Sequence, residues 1–373
     1  MAAKKLGDIW SVDLDSISNM NETWATRLVP LNKVFPSIPT RTQLRPIMVQ
    51  SPIVKLLEAR FLPKLQNYLT YKLDRSQVGF VQKMGVQVNL TRALERITLR
   101  TRRRRTVFGL FIDFGNAYNS VPHSLLFSKL RQKKILEEDE VCFLEQLYAR
   151  YRIKLGSKLL RSNKGVAQGS VISPALFDIF LEDLGESLTR RVGIDLEDRL
   201  FYADDVLLFL DSEEQLLRAI EIVEEWARDN GMHLNKSKSG IVVFAHRRAR
   251  KVPKMEKTGN QWRPTTNNIG GIPLCEKYKY LGTWLDIKLT CTSQINNIKK
   301  KAAHIYVKLY PYLVCASADA RRDMWQTMVA PLFNADYVLL HYEPSETHRV
   351  SLERLQRGTF KKFLMVSREQ TQY

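Results

Sequence analysis

Cysteine is scarce and scattered. Cys142, Cys275, Cys291 and Cys315 are the only four. No two stand at Cys-x-x-Cys spacing, so neither a zinc site nor a disulfide framework follows, and a reducing compartment suffices. Long apolar runs are missing too: none approaches the roughly 18 residues of a membrane span. The start, Met1-Ala2-Ala3-Lys4-Lys5-Leu6-Gly7-Asp8, lacks a secretory apolar core and is poor in the Arg and Ser of a transit peptide. The expectation is a protein made where it works, or addressed by another signal. There is no internal repeat and no low-complexity tract. Acid is short: 39 Asp and Glu face 58 Lys and Arg, giving a net charge of +19 and a pI near 9.7. Such an excess calls for a polyanion, nucleic acid first, although a merely soluble basic surface has the same composition.

The chain of 373 residues is 44% hydrophobic with mean hydropathy −0.27, enough for a large core and two or three subdomains. Residues 1–40 show no clear period and read as a loosely packed extension. Arg41 to Val49 reads as a strand entered through a basic turn, and Pro52 to Tyr71 as one helix that Pro63 kinks. Val86 to Arg100 is a helix feeding the basic run Arg102, Arg103, Arg104, Arg105. The apolar strand Val107 to Ile112 follows. Pro122 and His123 start a helix; Glu140 to Tyr151 forms another, with Val141, Leu144, Leu147 and Tyr148 on one face. Residues 213–229 carry the clearest helical stripe, Leu216, Leu217, Ile220, Val223 and Trp226. Ser212 with Gln215 suits a capping box, and Asn230-Gly231 a stop. Ile241 to Phe244 is a strand, His246 to Gly271 a basic loop rich in Gly, Asn and Thr, and Tyr278 to Leu285 alternates as a strand. From Thr292 the pattern is helical, with Ile295, Ile298, Ala302, Ile305 and Leu309 on one stripe and Lys299, Lys300 and Lys301 largely off it. Helices around an antiparallel hairpin make an α+β class.

Chemistry concentrates in three stretches. Phe201-Tyr202-Ala203-Asp204-Asp205 precedes the apolar run Val206 to Leu210, so two carboxylates sit at a hairpin-like break. Upstream, Asp113 ends the strand Val107 to Ile112. Hard cations such as Mg²⁺ take oxygen ligands, often one or two carboxylates plus substrate phosphates. Two-metal phosphoryl transfer needs carboxylates converging from separate strands. Between the two lies Gln168-Gly169-Ser170-Val171-Ile172-Ser173-Pro174. Adjacent acids alone are more often a solvated turn; the ordered set of three is what carries information.

That order resembles the palm of a reverse transcriptase, and the likeness extends along the chain. Leu44-Arg45-Pro46-Ile47 and Gln77-Val78-Gly79-Phe80 resemble finger motifs of non-LTR (LINE-type) retrotransposon enzymes. Asp113 to Tyr118 resembles motif A, Gln168 to Pro174 motif B, Tyr202 to Asp205 motif C, Gly231 to Lys238 motif D and Tyr278 to Gly282 motif E. Leu332 to Tyr342 and Leu352 to Arg357 resemble the region after the palm. The short form also resembles the reverse-transcriptase-like protein encoded in green-algal mitochondrial DNA. Gly115-Asn116 and Asn119 depart from the family's usual residues, at positions not expected to bind metal. No endonuclease and no Cys/His knuckle is seen, so target-primed insertion by this chain alone is not expected.

The resemblance implies a right-hand polymerase: an N-terminal extension at 1–40, fingers at 41–106, an antiparallel palm with a fingers insertion at 107–285, and a helical thumb and tail at 286–373. It implies an RNA-directed DNA polymerase that extends a DNA primer with dNTPs on an RNA template, using two Mg²⁺ ions, or Mn²⁺ in their place. Asp113 and Asp204, with the Phe114 carbonyl, would hold the metals, with Asp205 beside them. Tyr118 would reject a 2′-hydroxyl, Arg45 would hold the triphosphate, and Gln168 and Gly169 would lie against the nucleotide and template base. Lys238 would protonate the pyrophosphate as a general acid. Plainer readings remain: a core aromatic for Tyr118, surface cations for Arg45 and Lys238. Arg102 to Arg105, Arg247 to Lys251 and Lys299 to Lys301 suit phosphate contact along a duplex, although each run alone is commonly a solvated face. Two other classes stay open: a maturase-like RNA-binding protein with a relic palm, and a viral-type RNA-dependent RNA polymerase, which usually has Gly-Asp-Asp and no bulky gate. The expected location is the mitochondrion with an organelle gene, or else the nucleus, since two basic runs also suit import signals.

Overall fold

The apolar run Val107–Ile112 forms strand β3, and each of its residues is buried. A short continuous apolar run suits a strand covered on both faces, and β3 lies inside a four-stranded antiparallel sheet of order β6-β7-β3-β8. Its neighbours are β7 (Asp205–Leu210) and β8 (Gly240–Phe244), with β6 (Arg199–Tyr202) beyond β7. At Gly109 a Cβ would stand 2.5 Å from the Phe244 ring, so glycine lets that ring lie across the strand. The computed structural model describes residues 25–32, 37–40, 43–103, 105–155, 157–259, 261–334 and 346–365.

The chain forms two units, each discontinuous in sequence: 1–83, 114–191 and 221–234 in the first; 84–113, 192–220 and 235–373 in the second. The first holds a sheet of order β2-β1-β4-β5, from β1 (Thr26–Asn32), β2 (Leu44–Val49), β4 (Ile153–Leu155) and β5 (Lys158–Leu160). Helices α1 (Pro52–Ala59), α2 (Leu62–Tyr71), α4 (Ala117–Ser120), α5 (His123–Gln132), α6 (Glu138–Arg150) and α7 (Ser173–Val192, all but its last residue) belong to it. The second holds the β3 sheet and α3 (Val86–Arg102). The division falls within α8 (Glu213–Asp229). Three hairpins follow in the second unit: β9 (Met255–Thr258) with β10 (Gln261–Pro264), β11 (Asn268–Ile269) with β12 (Ile272–Pro273), and β13 (Lys277–Tyr280) with β14 (Thr283–Asp286). Helices α9 (Thr292–Cys315), α10 (Ala318–Met328), α11 (Ala330–Asn334) and α12 (Glu346–Leu364) complete it. Among the described residues no helix is long and apolar enough to cross a membrane.

Four local expectations change. Residues 26–32 are a strand paired with β2 in antiparallel register and with β4 in parallel. Pro63 does not kink one helix; it sits in the first turn of α2, after a break at Arg60-Phe61, where a missing N–H costs nothing. The stretch 246–271 is not all loop but carries β9 to β11. Tyr278–Leu285 is a hairpin, not a strand, because Leu281 and Gly282 both take positive φ (46° and 89°), which a two-residue turn requires. The cap before α8 is present in altered form: Ser212 Oγ accepts from Gln215 N at 3.1 Å, while Gln215 Oε1 accepts from Asp211 N at 2.9 Å. Arg41, Arg104, residues 1–24 and most of 332–342 lie outside the described residues.

Candidate active site

Antiparallel pairing brings the acids of the second unit to one sheet edge. Ile112, the end of β3, stands opposite Val206, so the next step of the register brings Asp113 level with Asp205. The β6–β7 hairpin closes with Tyr202 opposite Asp205, leaving Ala203 and Asp204 at its tip. Ala203 takes φ +52°, a left-handed conformation that costs a residue with a Cβ roughly 1–2 kcal/mol. Although Asp205 is exposed at this turn, desolvation by the surrounding structure pushes its carboxyl up to about 6, and repulsion from Asp204 and then Asp113 adds to the shift.

Both backbone groups of Asp113 are tied down. Its N–H donates to Ser239 Oγ at 3.1 Å, and its carbonyl accepts from Asn235 N at 2.9 Å. Ser239 Oγ in turn donates to the Asn235 carbonyl at 2.9 Å. The turn 235–239 is thus a clamp on the motif A aspartate. Tyr278 supports it from the other side: its ring stacks on Phe111 at 4.4 Å and 15°, and its hydroxyl donates to the Lys238 carbonyl at 2.8 Å. Burial raises the phenol of Tyr278, and Asp113 and Asp205 raise it further; burial and then Asp205 do the same to Tyr280. Asn89 Nδ2 donates to the Tyr280 hydroxyl at 3.4 Å and to the Phe201 carbonyl at 2.9 Å, holding the end of β6. None of Asn89, Asn235, Ser239, Tyr278 or Tyr280 was singled out for chemistry. The motif D and E stretches contain three of them, Asn235, Tyr278 and Tyr280, and Ser239 directly follows motif D, which is the signal available in the sequence.

Among the described residues no three His, Cys, Asp or Glu side chains gather closely enough to hold an ion alone. The acidic edge nevertheless suits Mg²⁺ of the kind that shares one or two carboxylates with substrate phosphates. A cation there would relieve the repulsion that Asp205 feels from its neighbours.

The first unit builds a second constellation. Phe114 is buried, its ring 6.0 Å from that of Trp226, and it bridges to Leu234. Gly115 N donates to the His233 carbonyl at 2.8 Å. With the hydrogen bonds of this bridge made by the flanking residues, the Phe114 carbonyl is directed away from Leu234. Tyr118, on α4, stacks on Phe177 at 4.7 Å and 11°, and its carbonyl accepts from Val166 N at 2.7 Å. The Gln168 carbonyl accepts from Met48 N at 2.8 Å, so β2, which carries the exposed Arg45, lies against the motif B loop. Gly169 explains itself here. It has φ +130°, and a Cβ would stand 2.4 Å from the Met48 carbonyl oxygen.

A residue not expected from the sequence anchors this loop. Glu58, at 0% exposure, ends α1. Its Oε2 accepts from Ser170 Oγ at 2.7 Å and Val171 N at 3.3 Å; its Oε1 accepts from Gln50 Nε2 at 2.9 Å and from the Tyr151 hydroxyl. Ser170 Oγ also accepts from Ile172 N at 3.2 Å and Ser173 N at 3.1 Å, serving the start of α7. A glutamate three residues after Lys55 in a short helix carries no local sign of this.

Residues 36–285 match the family described as reverse transcriptase (RNA-dependent DNA polymerase). The chain belongs to the reverse transcriptase family. Its relatives are of the non-LTR kind. The RNA-directed DNA polymerase of the mobile element jockey from Drosophila melanogaster is 26% identical over 311 residues, covering 77% of this chain and 32% of the relative. The Pol polyprotein of the type-1 retrotransposable element R2 from Popillia japonica is 26% identical over 270 residues, covering 69% and 37%. The chain thus spans about a third of the length of these relatives. An apo telomerase structure from Candida tropicalis is similar at 12% identity and TM-score 0.48, covering 92% of this chain and 62% of that one. The α+β right-hand polymerase class expected from the sequence is that of this reverse transcriptase family.

The remaining expected site residues of the reverse transcriptase chain are dispersed. Lys238 is exposed on the clamp turn, its N–H donating to the Asn235 carbonyl at 3.1 Å. Arg102, Arg103 and Arg105 are exposed just before β3, at the opposite end of the strand from Asp113. Lys299, Lys300 and Lys301 are exposed on α9, while Ile295, Ile298 and Ala302 are buried.

Proposed function

We propose that this chain is an RNA-directed DNA polymerase that extends a DNA primer with dNTPs on an RNA template. The observation that carries the reading is the convergence of Asp113, Asp204 and Asp205 at one end of an antiparallel sheet, with both backbone groups of Asp113 held by the turn 235–239. Asp113 and Asp204, with the Phe114 carbonyl, would hold the metals, and Asp205 would tune the charge beside them. When bound, two Mg²⁺ ions, or Mn²⁺, supply activation of the primer 3′-hydroxyl and neutralise charge on the leaving pyrophosphate. Lys238, on the clamp turn, delivers the proton to that pyrophosphate.

In the first unit, the rigid stack of Tyr118 on Phe177 makes Tyr118 a fixed gate against a 2′-hydroxyl. Gln168 and Gly169, held by Met48 and by the Glu58–Ser170 bond, present a preset surface to the nucleotide, and Arg45 grips triphosphate oxygens in bidentate fashion. Of the run Lys299, Lys300 and Lys301, the last two contact the template–primer backbone, in a thumb that begins near residue 286. The test is primer extension by purified protein on poly(rA)/oligo(dT), with separate dNTP and rNTP pools. Extension with dNTPs supports the reading. RNA binding without extension would assign a maturase-like role instead, and extension with rNTPs alone an RNA polymerase.

A further inference from the structure

Two basic runs far apart in sequence meet at the end of the β3 sheet remote from the carboxylates. Val107 pairs with Phe244 in antiparallel register, so the residues before β3 and those after β8 leave the sheet on the same side. Six residues of β3 separate that end from Asp113, or about 20 Å at roughly 3.3 Å per residue. A cleft of about 120 Å³ opens there, equal to the liquid volume of roughly four waters. Arg102, His246, Arg247 and Lys288 line it together with the hydroxyl-bearing Thr98 and Thr101, and no carboxylate lines it.

The loop is held in shape from beneath. Lys288 Nζ donates to the carbonyls of Arg247 and Ala249 at 3.0 and 3.1 Å, Ala245 N donates to the Ile287 carbonyl at 2.8 Å, and His246 Nδ1 accepts from Arg248 N at 3.2 Å. Two guanidiniums and a histidine, on a loop anchored by Lys288, surround a small cleft with no carboxylate in its described lining, an arrangement suited to one compact anion. Guanidinium forks suit phosphate oxygens.

We propose that this cleft binds a backbone phosphate of single-stranded RNA, as a contact separate from the carboxylate edge. The proposal rests on the reading that the chain works on RNA. It adds that the template is held at a second point, at the far end of the same sheet. Such a contact gives affinity without reading sequence.

The test uses the full chain and two ligands: a short RNA–DNA hybrid, and the same hybrid with a long single-stranded RNA tail. Binding is followed by fluorescence anisotropy over a salt series. Arg102 and Arg247 are both exposed, so the double variant Arg102→Gln/Arg247→Gln should fold, and its melting temperature checks that it does. Expected for the tailed ligand is weaker binding and a log–log salt slope smaller by roughly one unit per lost contact. The short hybrid, which can meet these residues only through its duplex backbone, should lose less affinity than the tailed ligand. Inorganic phosphate should compete for the tail in the wild type and not in the variant. Arg248→Gln, on the same loop but outside the cleft lining, is the control. An unchanged slope for the tailed ligand overturns the proposal. So does an equal loss for the short hybrid, which would merge the cleft with the primer–template site, or an equal effect of Arg248→Gln, which would mean a diffuse field and no pocket. If the wild type binds the tail through this cleft but extends no primer, the polymerase reading fails while this one stands.

Discussion

Two sets of carboxylates in this chain stand in opposite physical circumstances. Glu58 is fully buried and meets four donors, from Ser170, Val171, Gln50 and Tyr151. Asp205 stands on a turn, where desolvation by the surrounding structure pushes its carboxyl up to about 6 and the neighbours Asp204 and Asp113 add repulsion. A carboxylate surrounded by donors is at rest; its oxygens are occupied and its work is to hold other groups in place. Carboxylates crowded against each other are held in an unfavourable arrangement that a cation would relieve. The first is a structural device, and the second is the one to which the proposed function gives chemistry. The difference is visible without any ligand.

The sharpest break of this contrast is Asp113→Asn or Asp204→Asn. Either should abolish primer extension and leave hybrid binding nearly unchanged. Thermal stability should hold or rise, since one like charge is removed from a repelling set. Extension, binding and melting measured on one preparation check all three; normal extension by either variant removes the site assignment.

Glu58→Ala should do the reverse in kind: a large stability loss with the carboxylate edge intact. Removing the shared acceptor leaves buried neutral donors unsatisfied, at a cost of about 1–3 kcal/mol for each donor that water does not reach. Denaturant melts would show it. The motif B loop should loosen as well, so any surviving activity should show a raised KM for dNTP more than a lowered kcat. A variant with wild-type stability would mean the four hydrogen bonds contribute little.

How much of this was legible in advance follows the same divide. The carboxylates of the proposed site adjoin strongly patterned strands, Val107–Ile112 and Val206 to Leu210, and antiparallel pairing of those strands brings them level. Glu58 is illegible in the sequence because three of its four partners lie 93 to 113 residues away, and a glutamate in a short helix has no local signature of burial. Ser239 and Asn235 were passed over for a related reason: their role is played through backbone groups of Asp113. β1 was missed because Thr26–Asn32 has neither alternation nor a full apolar run; its burial pattern is mostly intermediate and exposed. The Tyr278–Leu285 hairpin read as one strand because its two-residue turn keeps the alternation unbroken. The stripe of α8 was read one residue too wide, since Leu217 is exposed while Leu216, Ile220 and Val223 are buried.

A smaller effect is expected at Tyr118. Tyr118→Ala removes the ring that stacks on Phe177, so the rNTP/dNTP incorporation ratio should rise by more than the total rate falls. Competition between the two pools on one template measures it. An unchanged ratio would leave Tyr118 as core packing, on the Glu58 side of the comparison.

The smallest effect concerns cations rather than acids. On α9 the buried residues Ile295, Ile298 and Ala302 face the protein, while Lys299, Lys300 and Lys301 are exposed. Lys299 differs from the other two. It lines a groove with Ala302, Tyr306 and Phe363, beside Arg354 and Lys362 of α12, where its stem covers apolar surface. Changing all three lysines to Gln should weaken hybrid binding for every sequence alike. The log–log salt slope should shrink by roughly two units instead of three, at about one per phosphate contact, because Lys299 is engaged in its groove. Lys299→Gln alone should then barely move the slope but should lower the melting temperature slightly. Lys300→Gln/Lys301→Gln should reproduce nearly the whole binding loss. If the single Lys299 variant carries the slope change instead, its ammonium leaves the groove for the nucleic acid, and α9 presents a different face from the one its buried stripe implies.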